Sequence, residues 1–315
     1  MELSIVTTLY CSEPHIKEFC NRMTATAKKI THDFELILVN DGSPDNSLTI
    51  ALELYHTHHN IKVIDLSRNF GHHKAMMTGL EHAKGNKIFL IDCDLEEPPE
   101  LLENFYQEFI RIKDADVVYG VQAKRKGGWF EKLSGTIFYN VFNFLSDYPI
   151  PKNLVIMRLM SKQYVDNLVL HKEKETAIAG LWAITGFKQI PIIIDKKCLS
   201  PSTYSLKNKL SMMLNSLTSF SKKPLVYIFY LGMLALLISF IYTINIIWTR
   251  IFRHIAVPGY ASLFASIWFL GGLTLFSIGI VGIYLARVFI EVKNRPYTII
   301  KDIYVKQDGG KVDPR

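Results

Sequence analysis

Charge is missing from two long stretches near the carboxyl end: Leu225 to Trp248 and Tyr260 to Ala286 contain no Asp, Glu, Lys or Arg. Each exceeds the roughly 20 apolar residues that cross a bilayer. A buried core helix of that length would carry a polar stripe, and neither stretch has one, so two transmembrane helices are expected. Cysteine is scarce. The four residues Cys11, Cys20, Cys93 and Cys198 show no metal-ligand spacing, which argues against a disulfide framework and fits free thiols in a reducing compartment. The opening Met1-Glu2-Leu3-Ser4 has no basic leader and no small-residue cleavage site, so no cleavable signal peptide is expected. No internal repeat or low-complexity segment appears. The formal net charge of +7 is modest, and much of the Lys/Arg excess lies beside the apolar stretches. There it suits anionic lipid headgroups and not nucleic acid.

What the chain does contain, up to about Lys223, is the mixed and charged composition of an α/β domain. Ser4–Leu9, Phe34–Asn40, Ile61–Leu66 and Asp116–Gly120 read as strands, separated by helical segments over 16–30 and 72–83. Alternation of this kind predicts a mostly parallel sheet with right-handed crossovers and helices on both faces. Ser43 is a plausible helix N-cap and Pro44 a plausible first helical residue. The group His56, His58 and His59 has the look of a metal site but reads better as a solvated helix end.

The apolar run Ile88-Phe89-Leu90-Ile91 leads into Asp92-Cys93-Asp94-Leu95-Glu96-Glu97 and then Pro98-Pro99. Read as a buried central strand, it places Asp92 and Asp94 at a carboxyl end, where open α/β sheets bind ligands. In an extended segment Asp92, Asp94 and Glu96 point the same way. Their hard oxygens would suit Mg2+ or Mn2+ shared with a diphosphate. The plainer reading is a solvated acidic turn before a helix N-terminus.

Four motifs together carry a family resemblance: Asn40-Asp41-Gly42-Ser43-Pro44-Asp45, Ser67-Arg68-Asn69-Phe70-Gly71, Asp92-Cys93-Asp94-Leu95-Glu96, and Arg158-Leu159-Met160. In order and approximate spacing they resemble glycosyltransferase family 2. The branch they look most like holds dolichol-phosphate mannose synthase and bacterial polyprenyl-phosphate glycosyltransferases. The similarity runs from Ser4 to about Pro224 and continues to Asn294-Arg295-Pro296-Tyr297.

The resemblance implies a GT-A fold, a Rossmann-like sheet binding a nucleotide-sugar at its carboxyl edge. Carried over residue by residue, Thr8, Leu9 and Tyr10 line the nucleoside pocket. Asp41 accepts a hydrogen bond from the base, as an acceptor-only carboxylate would from uracil; the alternative for Asp41 is an ordinary turn residue beside Gly42. Asp94 takes the metal, and Asp92 contacts the ribose or the metal shell. Glu96 stands where the branch usually has Gln. The implied acceptor is a polyprenyl phosphate, largely dianionic at neutral pH, which needs little help from a general base. Arg125, within Lys124-Arg125-Lys126-Gly127-Gly128, and Arg158 match basic positions of the branch and are the candidates for holding phosphate. Ser202 and Tyr204 keep the polar positions of a lipid-phosphate loop. Val155-Ile156-Met157 replaces a common Gly-Asp-Phe, so an acidic residue of the branch is absent. A single in-line displacement implies inversion at the anomeric carbon.

Residues 1–205 are therefore expected to form a catalytic domain, 206–223 a juxtamembrane amphipathic helix, 224–290 two membrane helices and 291–315 a tail. Leu210, Met213, Leu214 and Leu217 recur at helical spacing, which suits the bilayer interface or packing on the domain equally. Lys207, Lys209, Lys222 and Lys223 precede the first span and Arg287, Lys293, Arg295 and Lys301 follow the second, against Arg250 and Arg253 between them. The positive-inside rule then places both termini in the cytoplasm of a bacterial inner membrane. Gly271, Gly272, Gly279 and Gly282 would permit close helix approach within the pair or between subunits, and the resemblance implies a possible tetramer. Two other readings stay open: a processive polysaccharide synthase, and a catalytically silent membrane scaffold that binds nucleotide.

Overall fold

The computed structural model describes residues 1–122, 153–173, 178–195, 223–253 and 259–306. They fall into two compact units. The first is an eight-stranded sheet with its helices, and the second contains two long apolar helices.

The amino-terminal half alternates as its hydrophobic periodicity predicts. In chain order it comprises β1 (Leu3–Leu9), α1 (Ile16–Ile30), β2 (Phe34–Asn40), α2 (Ser47–Thr57), β3 (Ile61–Leu66), α3 (His72–Glu81), β4 (Lys87–Leu90) and α4 (Leu101–Arg111). There follow β5 (Val117–Gln122), β6 (Leu154–Ser161), α5 (Lys162–Leu168), α6 (Ile178–Ile184) and β7 (Gln189–Ile194). The long helices are α7 (Lys223–Arg253) and α8 (Tyr260–Val292), and β8 (Ile300–Tyr304) closes the series.

Strand order is β7-β5-β6-β4-β1-β2-β3-β8. β3, β2, β1 and β4 run parallel. β6 enters antiparallel between β4 and β5, β7 lies parallel to β5, and β8 lies antiparallel to β3. The sheet is thus mixed but mostly parallel and GT-A-like. All seven residues of β1 and of β2 are buried, the continuous apolar pattern that a sheet covered on both faces demands. On one face Leu3, Ile5, Leu36, Leu38 and Phe89 pack with Ile16, Phe19 and Met23 of α1 and with Phe105 of α4. On the other, α3 lies so close that a Cβ on Gly79 would come 2.5 Å from Val6 and 2.8 Å from Val39.

Several local expectations change. α2 begins at Ser47 with Asn46 as its N-cap, not at Pro44. Ser43 instead accepts the Cys11 N–H at 2.8 Å and donates to Asp45 at 2.6 Å. Asp45 in turn accepts the Ser47 N–H at 3.0 Å. The strands β6, β7 and β8 were not expected at all. β8 is the most consequential, because residues beyond the second long helix return to the sheet. There Ser67 N–H donates to the Ile299 carbonyl at 2.9 Å, and the Thr78 and Thr298 hydroxyls are 2.9 Å apart.

Within the second unit, α7 and α8 are each long and apolar enough to cross a membrane, over Lys223–Tyr242 and Phe269–Val292. α7 extends past both ends of its uncharged stretch, and α8 past the carboxyl end of its own. Among the described residues, a Cβ added at Gly271, Gly272, Gly279 or Gly282 would meet nothing within 4 Å. Cys11, Cys20 and Cys93 are free thiols, as expected. Burial pushes the Cys20 thiol up to about 12.

Candidate active site

Parallel strands β1 and β4 are neighbours whose crossovers leave in opposite directions, which makes their carboxyl ends the switch point of the sheet. Thr8, Asp41 and Asp92 converge there. The backbone pairing of β4 with β1 reaches Ile91, whose N–H donates to the Val6 carbonyl at 3.1 Å. Asp92 lies one residue beyond.

Asp41 is buried and holds the loop between β3 and α3. One carboxylate oxygen accepts the Phe70 N–H at 2.7 Å and the other the Gly71 N–H at 3.0 Å. Burial raises its pKa, against the pull of those two N–H groups and the charges of His72 and Arg68. Gly42 lets the same loop close down. Its φ is +59°, and a Cβ there would sit 2.4 Å from the Arg68 carbonyl carbon and 2.5 Å from the Asn69 nitrogen. Only glycine fits both demands. A carboxylate oxygen has two lone pairs, so Asp41 keeps acceptor capacity beyond the loop it anchors.

His72, the first residue of α3, was missed in the sequence. Its Nδ1 lies 2.9 Å from Thr8 Oγ1 and its Nε2 3.2 Å from Asp92 Oδ1. Burial works against the imidazolium, but the Asp92 contact and the charges of Asp92, Asp41 and Asp94 outweigh it, and the pKa is raised. The signal was available: His72 directly follows Ser67–Gly71, a motif already singled out.

The acidic segment does not form the expected extended array. β4 ends at Leu90, Leu95 turns the chain with φ +60°, and Asp94 Oδ1 accepts the Glu96 N–H at 3.0 Å. Among the described residues no three His, Cys, Asp or Glu side chains gather as a metal cluster, so Asp92, Asp94 and Glu96 do not converge on one point. The smaller set still fits the ion. Asp92 Oδ1 is buried, and its approach to His72 at 3.2 Å falls outside good hydrogen-bond geometry. Mg2+ is commonly held by one or two carboxylates together with substrate phosphates and water. Asp92 and Asp94 supply that number without Glu96.

Leu9 is buried in the core beneath α1, and its carbonyl accepts the Asp41 N–H at 3.0 Å. Tyr10 is exposed, with its N–H on Ser12 Oγ. Arg158 is 1 % exposed and lies over the Trp182 indole. Its Nε donates to the Ile156 carbonyl at 3.2 Å. Burial lowers its pKa, opposed by Tyr164, Tyr119 and Glu97, and a guanidinium so placed remains charged at neutral pH. Arg158, expected to hold a phosphate, is thus enclosed, with its Nη2 3.4 Å from the Val155 carbonyl and its guanidinium over Trp182. Arg125, Ser202, Tyr204 and the 206–222 segment lie outside the described residues.

The sequence model of "Glycosyl transferase family 2" matches residues 4–168. A Mycobacterium tuberculosis protein classed among the glycosyltransferases is 51 % identical over 304 residues, covering 96 % of this chain and 89 % of its own. The SfII prophage-derived bactoprenol glucosyl transferase of Shigella flexneri is 32 % identical over 305 residues, covering 96 % of this chain and 98 % of its own. A crystal structure of S. aureus TarS in complex with UDP-GlcNAc is similar at 18 % identity and TM-score 0.46, covering 70 % of this chain and 66 % of that one. With the family model over residues 4–168 and the two relatives matched across 96 % of the chain, the chain belongs to glycosyl transferase family 2.

Proposed function

We propose that this glycosyltransferase moves a sugar, with inversion, from a nucleotide-sugar to a polyprenyl phosphate, with undecaprenyl phosphate as the acceptor and a UDP-sugar as the donor. The product, a polyprenyl-phosphate sugar, would serve glycan assembly or modification in the cell envelope. The observation that carries the reading is end-to-end similarity to a bactoprenol glucosyl transferase, apolar helices included.

Asp41 supports the donor role by ordering the Ser67–Gly71 loop beside Thr8, and it retains lone pairs for a base N–H. Asp92 and Asp94 would hold Mg2+ or Mn2+, which when bound would neutralise the departing diphosphate. The acceptor monoester is its own nucleophile, so the chain's task is to bring two anions together and exclude water. With Arg158 enclosed, Arg125 is the arginine assigned to the acceptor phosphate, with Ser202 and Tyr204 beside it.

We place the catalytic domain and both termini in the cytoplasm of a bacterial inner membrane. β7 precedes the two apolar helices and β8 follows them, yet both strands belong to one sheet. A chain that crosses a bilayer twice returns to its starting side, and the flanking lysines and arginines favour the cytoplasm.

The test is a screen of nucleotide-sugars with purified protein and undecaprenyl phosphate, the lipid product being identified by mass spectrometry. Release of nucleoside diphosphate only in the presence of the lipid supports the reading. Sugar polymer without lipid dependence would make the chain a polysaccharide synthase. Asp94→Asn is expected to abolish most turnover while the fold persists, and full activity in the presence of chelator would remove the metal from the proposal.

A further inference from the structure

We propose that His72 is a positioning residue of the donor site, tying the Asp92 carboxylate to Thr8 across the gap between β4 and β1. The inference rests on the donor-site reading above and assigns that site a residue outside its carboxylates.

Nδ1 lies at hydrogen-bond distance, 2.9 Å, from Thr8 Oγ1, and Nε2 makes an ion-pair contact with Asp92 Oδ1 at 3.2 Å, without hydrogen-bond alignment. The backbone that carries the ring is fixed separately, because Asp41 holds the N–H groups of Phe70 and Gly71 immediately before it. The imidazole is thus located by Thr8 and by its own backbone, whereas Asp92 lies past the end of its strand with no sheet ladder to hold it. Helix stability does not account for a histidine here. The first turn of α3 is the positive end of the helix dipole, where a cationic ring is disfavoured. The ring is also 46 % exposed, so the contact has not been forced by core packing. Partners that orient a ligating carboxylate or imidazole typically carry about 10- to 100-fold in metal affinity or activity.

The experiment measures Mn2+ binding by electron paramagnetic resonance on the full-length detergent-solubilised protein with UDP present, alongside thermal melting. His72→Ala is expected to weaken Mn2+ binding by about 10- to 100-fold. His72→Gln, whose amide nitrogen reaches as far as Nε2, should retain most of the affinity. His72→Asn reaches only as far as Nδ1 and should behave like the alanine variant. In an Asp92→Asn background, His72→Ala should cost nothing further, since its effect passes through that carboxylate. Equal Mn2+ affinity in wild type and His72→Ala overturns the inference, as does a full additional loss on top of Asp92→Asn. If His72→Ala melts early, the Gln and Asn variants decide, and equal affinity in those two also overturns it. A wild-type protein that binds neither Mn2+ nor UDP would instead remove the donor-site reading, and this inference with it.

Discussion

The central strands and the long helices are both rich in apolar residues, and they treat those side chains in opposite ways. Every residue of β2 is buried, while Leu275 on α8 is 73 % exposed and Phe276 60 %. Glycines divide along the same line. A Cβ at Gly42 or Gly79 would strike neighbours within about 2.5 Å, whereas Gly271, Gly272, Gly279 and Gly282 meet nothing. The sheet unit is a closed core in which each group is specified by what it touches. The helices present an apolar surface of membrane-crossing length, and in water so large an exposed area would drive association.

The sharpest way to break the comparison is to remove one aromatic ring from each region. Phe89 is fully buried and meets Phe105 edge-on, with centroids 5.7 Å apart. Phe89→Ala should cost about 3–5 kcal/mol through the cavity it leaves, read as a large fall in the denaturation midpoint. Phe276→Ala should leave that midpoint nearly unchanged. A charge reverses the ranking: Leu275→Arg should cost about 2.5–3.5 kcal/mol of membrane insertion, read as protein lost from the membrane fraction while the domain's melting holds.

Glycine offers the next contrast. Gly42→Ala combines left-handed backbone with contact on two backbone atoms, and about 1–3 kcal/mol is expected from the strain alone. Gly279→Ala should be silent in the same melt.

The smallest effect concerns Asp45. Burial would raise its pKa, but hydrogen bonds from Ser43, Ser47 and the Glu13 N–H outweigh this and hold it at about 2. A depressed carboxylate stabilises the fold above its unfolded pKa of about 3.9 and loses that contribution as pH falls through about 2. Asp45→Asn should therefore be less stable than wild type at neutral pH, by no more than about 1 kcal/mol after solvent screening. The two melting curves should merge as pH drops from 4 towards 2.

Legibility in the sequence followed the range of the interactions. β2 and β3 came out at their exact bounds because a continuous run of branched apolar residues between polar breaks encodes a buried strand locally. β6 was hidden because it is antiparallel and its apolar run is broken by Arg158, whose acceptability depends on Trp182 arriving from a separate helix. β8 was read as part of a tail because nothing local in Ile300–Tyr304 announces that it will pair with β3. At the site, linked motifs singled out Asp41 and Asp92, which lie near one another at the carboxyl edge of the sheet, but the extended geometry assumed for Asp92 to Glu96 failed at Leu95. A left-handed residue in a turn leaves no mark in the pattern of side-chain polarity.

The sequence by itself determined the family, the alternating order of the amino-terminal strands and helices, and the two uncharged stretches of membrane-spanning length. These are encoded in runs of adjacent residues, where periodicity and charge act over one or two turns of chain. Tertiary structure decided which carboxylates could act together, that Arg158 would be enclosed, and that His72 would stand between Thr8 and Asp92. Those pairs are separated by 64 and 20 positions in the chain. Only the crossovers that lay β1 against β4 and start α3 near their carboxyl ends bring them within hydrogen-bond distance.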